Sequence, residues 1–126
     1  MKYSITTKGA PAAIGPYSQG TTEARFVFIS GQLGIDPETG EFVEGGIQEQ
    51  THRIIDNAEA ILAEIDCDLS DVVKTTVFLK DIADFSAMNE AYAERFFKPA
   101  PARSCVQVAA LPLPQALVEI EFIACR

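Results

Sequence analysis

At 126 residues, with 48% apolar and 22% charged side chains, the chain has the size and composition of a single globular domain spanning residues 1–126. Its formal net charge of −8 argues against a nucleic-acid surface, because phosphate contacts need a basic stripe and none is visible. No apolar run reaches the length of a bilayer span, and Met1-Lys2-Tyr3-Ser4 starts no signal peptide, so no membrane partner is expected.

Tyr3-Ser4-Ile5-Thr6 reads as a short edge strand, followed by a Gly-, Ala- and Pro-rich segment from Gly9 to Gly20. Within that segment Gly15-Pro16-Tyr17-Ser18-Gln19-Gly20 carries turn signals at both ends. A tyrosine there packs, or hydrogen-bonds a ligand if an arginine is near. Arg25 to Ser30 is a strand with apolar residues on both faces, which must be covered on both sides. Gly31 is expected to end it, leaving backbone that something can approach closely. Asp36-Pro37-Glu38-Thr39-Gly40 is a turn.

Ile47, Ile54, Ile55, Ala58, Ile61, Leu62 and Ile65 recur at helical spacing, with Thr51 filling the gap, and predict one long amphipathic helix over 47–65. Val72 to Leu79 is β-branched and reads as a strand. Asp84 is a candidate N-cap for a second helix that places Phe85, Met88, Ala91, Tyr92 and Phe96 on one side and ends at the Pro99/Pro101 stretch. Asn89 lies on this helix beside Met88 and Tyr92, its role open from pattern alone. Two strands follow, Ser104 to Ala110 and Leu117 to Cys125, joined by the turn Leu111 to Gln115, with Val106, Val108 and Leu111 expected in the interior.

This order predicts an α+β fold, a mixed β-sheet carrying two long helices on one face. Val118, Ile120, Phe122 and Ala124 alternate with Glu119, Glu121 and Ile123, so one sheet face is apolar while the other keeps carboxylates beside bulky groups. One helical layer cannot cover both faces, and the second is expected to meet water or other subunits.

Arg103 stands just after Pro99-Ala100-Pro101-Ala102, a stiff approach to the mouth of a strand. A guanidinium held there can grip a carboxylate, and Glu119, on a strand expected to pair with it, can take a proton from water. The plainer alternative is a structural ion pair between Arg103 and Glu119 or Glu121. Cys67, Cys105 and Cys125 fit neither a disulfide framework nor a zinc site, and a reduced, cytoplasmic setting is the simplest inference. Nothing basic is placed to activate Cys105 as a nucleophile. The one histidine, His52, falls among helical positions and reads as solvated or half-buried.

Several stretches together resemble the RidA/YjgF/YER057c/UK114 family of reactive-intermediate deaminases. These are Ala13-Ile14-Gly15-Pro16-Tyr17-Ser18-Gln19, Ile29-Ser30-Gly31-Gln32, Val73 to Leu79, Met88-Asn89, Pro101-Ala102-Arg103-Ser104-Cys105-Val106 and Val118-Glu119-Ile120. The resemblance implies a chorismate mutase-like fold and a homotrimer with sites between subunits. It implies hydrolysis of enamines and imines such as 2-aminoacrylate, 2-iminopropanoate and 2-iminobutanoate to 2-keto acids and ammonia, with no metal or organic cofactor. By the same resemblance Arg103 would hold the substrate carboxylate and Glu119 would activate water. The backbone at Gly31 and Cys105 would contact the ligand, and Tyr17, Ser30 and Asn89 would complete the pocket, Tyr17 across the subunit boundary. The segment Lys98 to Ala102 is shorter than in some relatives, which bears on the pocket rim. Two other readings remain: a trimer that binds 2-keto acids without turnover, and a ribonuclease or translation inhibitor, which the acidic charge opposes.

Overall fold

A computed structural model describes residues 1–126. Its strands and helices are β1 (Tyr3–Ile5), β2 (Gly20–Glu23), β3 (Phe26–Gln32), α1 (Ile47–Ala63), β4 (Val72–Leu79), α2 (Phe85–Ala93), β5 (Ala102–Gln107) and β6 (Val118–Cys125). The strands form one mixed six-stranded sheet in the order β1-β2-β3-β6-β4-β5. Every pairing is antiparallel except β4 with β5. Both helices lie on one face, as the strand alternation predicts.

The 47–65 periodicity becomes a 17-residue helix that stops at Ala63. Ile54, Ile55, Ala58, Ile61 and Leu62 are fully buried against the sheet. Thr51 fills its place in the apolar series by spending its hydroxyl on the Ile47 carbonyl at 2.7 Å. Glu49 closes the helix start by accepting the Gly46 N–H at 2.7 Å. On the sheet side Val118, Ile120, Phe122 and Ala124 of β6 meet Val27 and Ile29 of β3 and Val77 and Leu79 of β4 in one continuous core.

Several expectations need correction. A strand not foreseen, β2, pairs with β3, and Gly31 lies inside β3 at a bulge where Ile29 and Gln32 face Phe122 and Ile120. The second helix is short, ending at Ala93. Asp84 stands at its start without a side-chain bond, because Asp81 has already begun a 3-10 turn over Ile82–Asp84 by accepting the Ala83 N–H at 2.9 Å. Finally, β5 ends at Gln107 and does not pair with β6: β4 lies between them, so β4, α2 and β5 form a parallel crossover unit. As an edge strand β5 leaves Val106 47% exposed, not buried.

The helix-covered face holds one polar bond of consequence. Thr75 of β4 and Tyr92 of α2 meet hydroxyl to hydroxyl at 2.7 Å, both residues buried. Thr75→Val leaves the Tyr92 hydroxyl without its partner and should lower unfolding free energy by about 1–3 kcal/mol, read from urea denaturation. The opposite face carries no helix. Phe26 and Phe28 stand about half exposed on it, together with Phe78, Glu119, Glu121 and Ile123. No helix is long and apolar enough to cross a membrane.

Candidate active site

The parallel register of β4 and β5 pairs Thr75 with Arg103 and Val77 with Cys105. Paired residues of neighbouring strands point the same way, so Arg103 and Cys105 face the helices. Arg103 lays its guanidinium 4.8 Å from the centre of the Tyr92 ring and 5.6 Å from that of Phe85. Its one side-chain hydrogen-bonding contact is the Met88 sulfur at 4.0 Å, and it enters no ion pair. The structural pairing with Glu119 or Glu121 is therefore not made. Phe85, Met88 and Tyr92 recur at i, i+3 and i+7 and read from sequence as a core stripe. Their exposed end turns out to be the bed of this cation. The Thr75–Tyr92 bond fixes the ring, and the ring fixes the arginine.

Next to Met88 on the same helix, Asn89 has its side-chain oxygen buried with no hydrogen-bond partner. Cys105 is half-buried, and burial pushes its thiol above the ordinary range, which leaves it protonated and a poor nucleophile. Cys67 and Cys125 are free as well.

Glu119 occupies the other face. Its neighbours Val118 and Ile120 point into the core, so its carboxylate points to the helix-free side, where Phe78 is its partner on β4. A Cβ added to Gly31 would stand 2.8 Å from the Glu119 carboxyl carbon, so the carboxylate rests directly on that glycine. Burial pushes the Glu119 carboxyl up, and the Glu121 charge two residues along pushes it further. A raised carboxyl favours folding below its unfolded value, and that contribution is lost as pH rises through the folded value. Glu119→Gln should thus be at least as stable as the parent at neutral pH, a pattern thermal melting can check.

Tyr17, Ser30, Gly31 and Glu119 border one depression of about 450 Å³, with Ile14, Leu33 and Pro112 as apolar walls. The Tyr17 hydroxyl accepts the Ile14 N–H at 3.2 Å, and the Ser30 hydroxyl donates to the Ser18 carbonyl at 2.6 Å. Four of the residues singled out in the sequence thus come together, while Arg103, Asn89 and Cys105 form a second group on the opposite side of the sheet. The sequence reading joined the two groups by assuming a hairpin between the last strands. Intervening β4 separates them. The short Lys98 to Ala102 segment does not border this depression but a cleft with Leu69, Arg95 and Phe97. No group of three or more His, Cys, Asp or Glu is placed to hold a metal.

A family model described as "Endoribonuclease L-PSP" matches residues 7–126. A goat (Capra hircus) protein named 2-iminobutanoate/2-iminopropanoate deaminase is 51% identical over 120 residues, 95% of this chain and 87% of that one. The crystal structure of RidA from an Antarctic Psychrobacter superposes with a TM-score of 0.93 at 45% identity, covering 98% of this chain and 99% of that one. E. coli TdcF with bound serine superposes at 0.89 with 42% identity, covering 98% of each. With that agreement over nearly the whole length, the chain belongs to the RidA/YjgF family.

Proposed function

We propose that this protein is an imine and enamine deaminase that hydrolyses 2-aminoacrylate, 2-iminopropanoate and 2-iminobutanoate to 2-keto acids and ammonia. Its relatives' deaminase names support the reaction class. The unspent guanidinium of Arg103 carries the reading within this chain. An arginine stacked on two rings yet free of carboxylates is preorganised for a planar anion, and a substrate carboxylate fits it with two parallel hydrogen bonds.

In this reading Glu119 accepts a proton from water as oxygen bonds to the imine carbon. It returns that proton to the carbinolamine nitrogen, and as the carbon–nitrogen bond breaks and ammonia leaves, the remaining hydroxyl proton passes to the freed Glu119 carboxylate, leaving the keto oxygen. The iminium carbon is already electrophilic, so the protein's task is to hold carboxylate and water in register. A carboxyl pushed up from its ordinary value suits both accepting and returning the proton. The backbone at Gly31 and Cys105, with Tyr17, Ser30 and Asn89, would shape the remainder of the pocket.

Arg103 and Glu119 lie on opposite faces of one sheet, so a site using both draws them from two chains. We therefore read the helix-free face, with Phe26 and Phe28 half exposed, as the contact surface of a homotrimer with three shared sites. The three thiols suit a reducing, cytoplasmic setting. The family model's endoribonuclease description finds little support in a chain of net charge −8. Serine bound to the E. coli relative gives some weight to a second reading, a carboxylate-binding trimer without turnover.

The test generates 2-iminobutanoate in solution and follows its loss. The parent should accelerate loss above buffer, with kcat rising through an apparent pKa above the usual carboxylate range. Arg103→Ala should lose about a hundredfold or more in kcat/KM, since two charge-assisted hydrogen bonds disappear. Binding of 2-keto acid without any acceleration would favour the second reading.

A further inference from the structure

We infer that Gln19 is the positioning residue that holds the Tyr17 loop over Gly31 and Glu119; its effect on catalysis rests on the deaminase reading above. Gln19 is only 5% exposed, yet it is a polar side chain that must satisfy its amide inside the fold. Its nitrogen lies 3.0, 3.1 and 2.8 Å from the carbonyls of Thr7, Ala10 and Pro11, two hydrogens shared among three acceptors. Its oxygen accepts the Thr7 N–H at 2.8 Å. All four of these hydrogen bonds go to the backbone of 7–11.

The bond to Pro11 closes the chain on itself between residues 11 and 19, a compact loop with joined ends. Inside it, Tyr17 N–H donates to the Gly15 carbonyl and Ile14 N–H to the Tyr17 hydroxyl. From Ala12 to Tyr17 no hydrogen bond leaves the loop. Within a single chain, packing does not fix it either. A cavity of about 290 Å³ lies against it, lined by Pro11, Ile14, Leu33, Ile35 and Leu113, and Ile14 itself is 79% exposed.

The loop therefore stands on its two ends. At one end the Gln19 carbonyl accepts the Ser30 N–H at 3.0 Å and Ser18 accepts the Ser30 hydroxyl, which ties it to the sheet beside Gly31. At the other, the Gln19 side chain ties it to 7–11. One residue thus joins both anchors. Released from the second, Tyr17 keeps its covalent place but loses a fixed position above the Glu119 depression.

Two variants separate this role from general stability. Gln19→Met keeps length and removes all four bonds. Gln19→Glu keeps shape but sets a carboxylate against three carbonyls. Thermal melting checks that each folds, amide hydrogen exchange is followed at Ile14 and Tyr17, and KM and kcat are measured with 2-iminobutanoate. The expected result is exchange at least about tenfold faster at both amides, with KM raised about tenfold and kcat changed much less. Unchanged exchange in both variants overturns the proposal. So does faster exchange with unaltered KM, which would make Gln19 a loop tether with no bearing on the site. If the parent itself fails to accelerate imine loss, the deaminase reading falls, and the exchange measurement still decides whether Gln19 holds the loop.

Discussion

Arg103→Ala and Glu119→Gln, each nearly inactive alone, recover activity when their chains are unfolded together and refolded as a mixture. The expectation follows from the sheet. Arg103 shares a face with Thr75 and the helices, while Glu119 shares the other with Phe78, and a β-strand's alternation allows no exchange between them. If each site takes arginine from one chain and glutamate from its neighbour, some interfaces in a mixed assembly bring together two unaltered partners. Random assortment makes that about one site in four. The single variants should each be down by about a hundredfold or more, from loss of the carboxylate grip in one and of the proton acceptor in the other. Activity of the mixture near a quarter of the parent is thus a large signal on a low background. A mixture no better than its components would mean that both groups act from one chain or that only one of them acts.

Gly31→Ala should nearly abolish turnover while leaving the fold intact. The added methyl carbon would stand 2.8 Å from the Glu119 carboxyl carbon and 3.1 Å from the carbon before it. What must move is the free end of a flexible side chain, not the backbone, so stability should change by no more than about 1 kcal/mol. The carboxylate, however, has to leave its place on β3. A displacement of about 1 Å can cost roughly a hundredfold in rate, and a drop of that order in kcat is the expected result. Glu119→Gln supplies the control. Because both changes act on one group, the double variant should be scarcely worse than either single one, well short of the product of the two losses. Full additivity would place the effect of Gly31 elsewhere.

Much of this arrangement was legible in the sequence where one face of an element carries a clear period. The α1 stripe, the β-branched run of β4 and the alternation of β6 depend on side chains that repeat every 3.6 or 2 residues, and each was found nearly to the residue. The strand β2 was hidden because Gly-Thr-Thr-Glu offers no apolar alternation. Its inward Thr22 is satisfied by donating to the Phe26 carbonyl at 2.9 Å. The following turn uses Ala24 at φ 53° where a glycine or asparagine would have announced it. The candidate groups were legible residue by residue, through motifs, but not their division. Whether β5 joins its neighbour parallel through α2 or antiparallel through the proline-bearing loop is settled by long-range packing. Local signals around Pro112 and Pro114 favour the wrong answer. That one choice of neighbour decides which way Arg103 points.

If the proposed pocket is divided between the two sides of a sheet, turnover is also tied to abundance. A lone folded chain would keep its secondary structure and its stacked arginine, yet it would own no complete site. Specific activity should therefore fall on dilution at concentrations where circular dichroism still reports a native fold. A cell that makes little of this protein would have disproportionately less of its catalysis.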